Sequence, residues 1–237
     1  MVAAAMFFLN RNNELNFEVE EEAVEVSASS QTDWSSLTGF TRLDLKGGYH
    51  VILHPGATAR IEVDATEEAK QHLRGYLSGE ELHVEMEDRW FKRFDDQITL
   101  HIYADELTAI DASGAVSVSH ESVLKTESLD IDVSGAGKIN LEVEVDRLDA
   151  EISGAGQYLM AGRAREAHFK TSGAGEVRAF DLVCEAVEVR ISGAGSAQVH
   201  ATQSLKTKIS GAGSVVYDGN PSEIDQRTSG AGSVRKR

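Results

Sequence analysis

Six copies of Ser-Gly-Ala-Gly, beginning at Ser134, Ser153, Ser172, Ser192, Ser210 and Ser229, punctuate the second half of the chain. A degenerate first copy begins at Ser113, and the serine-to-serine steps are 21, 19, 19, 20, 18 and 19 residues. Self-similarity at this period restricts a chain to stacked repeats, because one short unit cannot bury its own apolar face.

Each tag follows an alternating run: Leu129, Ile131 and Val133; Leu148, Ala150 and Ile152; Val187, Val189 and Ile191; Leu205, Thr207 and Ile209. Period two marks strands with one buried face. A second alternation follows the tags, as in Ile139, Leu141 and Val143, so each coil is expected to hold two or three short strands. Coils stacked at about 4.8 Å pair every backbone group with the coil above and below. The expected fold is therefore all-β: a single-stranded parallel β-helix of about 19 residues per coil. A right-handed coil is favoured, since parallel crossovers follow that hand and the wandering steps lack the hexapeptide sub-period of a left-handed β-helix. The Leu-x-x-Leu-x-Leu pattern of leucine-rich repeats is missing.

Within the tags, Gly135 and Gly137, Gly154 and Gly156, Gly173 and Gly175, Gly193 and Gly195, Gly211 and Gly213, and Gly230 and Gly232 are the expected turn residues. Glycine permits positive φ at a sharp corner, alanine is small enough to stack, and serine can hydrogen-bond along the column. A nucleophilic serine needs a base, and no Ser-His-Asp arrangement repeats with the tags, so no catalytic residue is assigned. No metal or cofactor is expected either: the tags carry no carboxylate and the eight histidines lack ligand spacing.

A composition of 41% apolar and 6% aromatic residues suits a thin, aliphatic-filled solenoid. The formal net charge of −16 excludes nucleic acid as a partner, because phosphate binding wants a basic footprint. The single cysteine, Cys184, has no partner for an intramolecular disulfide and sits in the apolar run Leu182-Val183-Cys184, where it reads as buried filler. Met1 to Leu9 is too short to span a bilayer, so no transmembrane span is expected. It fits equally the stub of a signal peptide or anchor and an N-terminal strand.

In chain order, residues 1–33 form an acidic leader or spacer, and residues 34–237 form one β-helical domain. Its N-terminal coils occupy 34–112, with one short helix over 67–77: Thr66 offers an N-cap, and Ala69, Leu73 and Leu77 fall on one helical face. Residues 87–96, with Trp90 and Phe91, read as a binding loop or as a flap over apolar surface. The tagged coils fill 113–237, and Arg235, Lys236 and Arg237 would discourage another chain from adding to the open edge.

Outward positions two residues before each tag are Asp132, Glu151, Lys170, Arg190, Lys208 and Arg227. In register, four cations align at about 4.8 Å on an acidic protein. Either Asp149, Glu188 and Asp225 on the neighbouring column neutralise them, or the stripe docks an anionic glycan or lipid headgroup. The same stacking sets Asp132 beside Glu151, near the roughly 5 Å that retaining glycosidases need, with Asp130 and Asp149 alongside.

The segment from Phe40 to Met86, followed by the tags and by Gly137-Lys138-Ile139-Asn140, resembles the head GIN domain of autotransporter-type adhesins over roughly residues 38–237. A lysine interrupts the Gly-Ile-Asn signature here, and no lipobox cysteine stands near the N-terminus. The resemblance implies a non-enzymatic domain, secreted or in the cell envelope, that presents a rigid charged surface to a glycan or envelope protein. A polysaccharide-acting enzyme and a structural spacer are the alternatives.

Overall fold

Alternating apolar residues carry the main chain round each coil with little interruption. The computed structural model describes residues 32–87 and 98–237. The acidic leader up to residue 31 and the pair Trp90 and Phe91 lie outside the described residues. A 3-10 turn, Trp34–Ser36, precedes β1 (Arg42–Gly47), β2 (His50–His54), β3 (Arg60–Asp64), α1 (Glu67–Lys70), β4 (Leu73–Ser78), β5 (Glu81–Met86) and β6 (Thr99–Tyr103). Then come β7 (Ala109–Gly114), β8 (Ser117–His120), β9 (Leu124–Gly135), β10 (Lys138–Gly154), β11 (Gln157–Gly173), β12 (Glu176–Gly193) and β13 (Ser196–Gly211). The last elements are β14 (Ser214–Asp218), β15 (Glu223–Gly230) and β16 (Ser233–Lys236).

From β7 onward each coil pairs in parallel with the next, so this is a parallel β-solenoid. The coils on either side of the middle hold two strands, β8 with β9 and β14 with β15, but each of the four between them, β10 to β13, is one long strand that bends. In β10 the inward residues are Ile139, Leu141, Val143 and Val145, then Leu148, Ala150 and Ile152, with Asp146 and Arg147 both outward between the two series. Arg165 and Glu166 repeat this slip in β11, between buried Ala164 and Ala167. Two consecutive outward residues reverse the alternation, which turns the coil without ending the ladder. The uneven steps between tags also have a local cause. Phe180, Asp181 and Leu182 find no partner in β13, where the pairing jumps from Ala179↔Val199 to Val183↔His200.

The tag is the sharp corner, and backbone hydrogen bonds pass straight through it. Ala155 N–H donates to Gly135 O at 2.9 Å and Gln157 N–H to Gly137 O at 2.9 Å; Ala174 and Glu176 repeat the pair one rung up at 2.9 and 3.0 Å. The two glycines do different things. The first has positive φ, +130° at Gly154, and a Cβ there would lie 2.5 Å from Gly135 O. The second sits on the core, where a Cβ on Gly156 would lie 2.8 Å from Val133 Cγ1 and 3.1 Å from Gly137 O. The tag serines and alanines face solvent. Among the described residues the serine hydroxyls of the six tags make no hydrogen bond, so the column is a backbone ladder and not a side-chain one.

At the other end the coils are out of sequence order. β1 pairs with β5 on one side and β7 on the other, and β2 lies likewise between β6 and β8. The first coil is thus sandwiched between the second and third. The chain crosses that end through β3 and β4, which pair antiparallel with β6 and β5.

The helix expected over 67–77 is only one turn. Thr66 does cap it, its side chain accepting from Ala69 N–H at 3.2 Å. The correction begins after Lys70: Leu73–Ser78 is strand β4, paired from Leu73↔Met86 to Ser78↔Glu81. Ala69, Leu73 and Leu77 are four apart, a spacing that suits a helix face and a strand face alike. Gly75 decides for the strand, since helix disfavours glycine and its bare Cα lies beneath the Trp34 ring.

The core is one hydrophobic cluster from Leu37 to Val215, mostly aliphatic, with Phe40, Tyr49, Tyr158 and Phe169 its largest buried side chains. Its one buried side-chain polar atom without a partner among the described residues is the Thr207 hydroxyl. Thr207 continues a column from Val189, so Thr207→Val is expected to hold or raise stability, by up to about 1 kcal/mol in thermal melting. Gly156→Val, which drives a branched side chain into Val133 and Ile152, is expected to cost about 2–3 kcal/mol. An unchanged melting midpoint for Gly156→Val would contradict the corner geometry.

Candidate functional site

Because the ladder holds register through every corner, outward side chains stack into columns. One column, in spatial order, reads Asp44, Asp111, Asp132, Glu151, Lys170, Arg190, Lys208, Arg227. Four carboxylates are followed by four cations. Six of the seven neighbouring pairs in this column carry like charges, an arrangement that costs stability in a sheet. The flanking column, two residues earlier on each strand, is mixed: Arg42, Ala109, Asp130, Asp149, His168, Glu188, Lys206, Asp225.

The two halves of the column are compensated unequally. Lys170 reaches Glu151 at 2.7 Å, Arg190 reaches Glu188 at 2.6 Å and Arg227 reaches Asp225 at 3.1 Å. Two of these pairs lie within one strand and not diagonally across strands. Asp149 is engaged elsewhere, by Arg147 at 2.5 Å and His168 at 2.9 Å. Lys208 makes no ion pair among the described residues, and neither do Asp111 and Asp132. At the acidic end Asp44 takes Lys46 at 2.7 Å and His83 at 2.8 Å.

These surroundings move the carboxyls in opposite directions. Partial burial, reinforced by Glu151 and Asp130 and opposed by Lys170, pushes the Asp132 carboxyl up from its ordinary value. Burial and then Asp132 do the same to Asp111. Burial also works against ionisation of Asp149 and Glu188, but hydrogen bonds from Arg147 and His168, and from Arg190 and Lys206, outweigh it and hold both below the usual range. Underneath, the buried Tyr158 hydroxyl donates to Ile131 O at 3.0 Å and contacts Glu151 O, tying together the strands that carry Asp132 and Glu151.

A depression of about 510 Å³ lies over the middle of this face, with Asp132, Arg147, Glu151, Lys170 and Arg190 on its walls. The four cations singled out from the sequence therefore share one column. Asp111 and Asp44 extend the acidic half beyond what the sequence reading included. Asp111 was available to the same rule, standing two residues before Ser113, but Asp44 precedes no tag and only the pairing of β1 with β7 places it. Cys184 lies elsewhere, buried, its thiol pushed up to about 12 by that burial. Among the described residues no three His, Cys, Asp or Glu side chains could hold a metal ion. No described helix is long and apolar enough to cross a membrane.

The raised carboxyl at Asp132 gives a pH signature. Its folded value exceeds its unfolded one, so as pH rises through that interval the unfolded chain ionises first and stability falls. Asp132→Asn is expected to raise the melting temperature by about 1–2 °C at neutral pH, with no gain at a pH below the ordinary carboxyl value.

The comparisons agree with this architecture. The family described as "Putative auto-transporter adhesin, head GIN domain" matches residues 39–221. No curated protein matches the chain. Among solved structures, a "putative adhesin" from Bacteroides fragilis is similar with a TM-score of 0.73 at 22% identity, over 84% of this chain and 92% of that one. A "putative lipid binding protein" from Parabacteroides distasonis reaches 0.66 at 21% identity, and a "putative adhesin" from Parabacteroides merdae 0.66 at 24%, both with the same coverages of 84% and 92%. At these identities the likeness shows the shared fold. The match over residues 39–221 assigns the chain to the head GIN domain family.

Proposed function

We propose that this chain is a non-enzymatic interaction module of the cell envelope, and that its charged sheet face docks an anionic partner at the basic end. One observation carries the reading: Lys170, Arg190, Lys208 and Arg227 occupy consecutive rungs, and Lys208 has no acid partner among the described residues. A surface arranged only for its own stability would alternate sign along that column. The strongly acidic remainder of the chain repels anions from other faces and so confines them to this one. The partner chemistry is that of a sulfated or phosphorylated glycan or of an acidic protein surface. Membership of an adhesin-named family supports an envelope location and an interaction role.

Catalysis is the weaker reading, although one observation favours it. Asp132 and Glu151 are register neighbours, and the Asp132 carboxyl is raised as a general acid requires. Against it, Lys170 already engages Glu151, and among the described residues no Trp or Tyr lines the depression and its one Phe, Phe169, is buried. Pectin, alginate and chitosan are expected to yield no new reducing ends; turnover that disappears in Glu151→Gln would establish an enzyme instead.

The docking reading is tested with heparin as the anionic probe. Binding at low ionic strength should weaken steeply with added salt and fall at least about tenfold in the double variant Arg190→Ser, Lys208→Ser. Binding untouched by that change, or absent at low salt from protein that is monomeric there, would leave the column without a docking role.

A further inference from the structure

The column is bipolar about one level, the gap between Glu151 and Lys170, which is its only junction of opposite charges. We infer that the anionic partner of the basic end is the acidic end of a second copy of this chain, inverted and packed face to face. This rests on the docking reading above and names its partner.

Complementarity supplies the argument. Consider a two-fold axis that lies in the face, runs parallel to the strands and passes between Glu151 and Lys170. It exchanges rungs equally far above and below that level, so the interface is isologous. Glu151 then faces Lys170 of the second copy, Asp132 faces Arg190, Asp111 faces Lys208 and Asp44 faces Arg227. Each pair occurs twice. The residues left without ion pairs inside one copy, Lys208, Asp111 and Asp132, all meet opposite charges across the axis.

Neighbouring columns follow the same operation. In the flanking column Asp149 meets His168 and Arg42 meets Asp225. In the next, Arg147 meets Glu166, since those two are also register neighbours astride the same level. The one like-charged meeting on these rungs is Asp130 with Glu188, and Arg190, already bonded to Glu188, stands beside it. A parallel arrangement of two copies would instead set acid on acid and base on base. The like-charged runs, unfavourable within one coil stack, thus become favourable in the inverted pair. The order of the charges favours a second copy over an arbitrary anion, because a uniform polyanion can match only the basic half and leaves the acidic half uncompensated.

The test is a charge swap on the full chain, followed by sedimentation velocity over a concentration series at about 0.02 M and about 0.5 M salt. The parent is expected to dimerise at low salt and dissociate at high salt. Lys208→Glu places two acids opposite each other at both ends of the interface, and Asp111→Lys places two cations there. Each variant alone should associate at least about tenfold more weakly. An equimolar mixture of the two should recover a heterodimer, since Glu at 208 then faces Lys at 111 and the two parental residues face each other. At about 0.5 M salt, where parent and variants are all monomeric, neither variant should melt below the parent, because each breaks a like-charged run; that separates loss of association from misfolding.

A parent that stays monomeric at low salt, single variants that associate like the parent, or a mixture that fails to recover would each overturn the inference. Heparin binding separates this outcome from failure of the docking reading. If self-association is absent but heparin still binds and Lys208→Glu abolishes that binding, only the second-copy assignment falls. If neither is seen, both fall.

Discussion

Backbone hydrogen bonds that run from rung to rung through the Ser-Gly-Ala-Gly corner fix the register on which the rest of the structure depends. A corner with ordinary side chains would push successive rungs apart. At the tag, carbonyls and amides approach directly, because a Cβ on the first glycine would strike the carbonyl one rung below and a Cβ on the second would strike the β-branched core. The ladder therefore continues where a polypeptide usually turns away from its neighbour. The strand segments that lead into each corner inherit that alignment, including columns of side chains that have no other reason to line up.

Such a scaffold separates what holds the fold from what its surface displays. A buried Val, Leu or Ile side chain contributes roughly 1.5–3 kcal/mol, and tens of them fill this core. A like-charged pair on an exposed strand costs only a fraction of that. Register and packing thus tolerate an unfavourable charge order on the outside. The eight charges from Asp44 to Arg227 exploit that tolerance, and their sorting into an acidic half and a basic half makes the face directional. A directional, rigid, polar sheet suits recognition, consistent with membership of the head GIN domain family.

The tagged coils were legible in the sequence because their period, alternation and glycine positions all describe the same unit. That is also why Lys170, Arg190, Lys208 and Arg227 could be aligned by counting back from each serine. Counting failed where the tag is missing. Asp44 joins the column only because the first coil is inserted between the second and the third, a non-local arrangement that no periodicity encodes. The segment from Glu67 to Leu77 misled for a different reason: residues four apart satisfy both periods, and the glycine between them and its fit beneath Trp34 were the deciding features. Local pairing of the cations was half visible, since Glu188 and Asp225 stand two residues before Arg190 and Arg227, within reach along one strand as well as across two.

The charges form a single straight column at one rung per coil. Pulsed dipolar spectroscopy on Asp132→Cys, Arg227→Cys in a Cys184→Ala background, with spin labels on the two new thiols, reads the length of that column. High salt would keep copies apart during the measurement. The two positions are five rungs apart in the parallel register, so a narrow distribution centred near 24 Å, about five strand spacings broadened by the label arms, is predicted. A broad distribution, or a centre displaced by more than two spacings, would contradict the in-register ladder and with it the bipolar face.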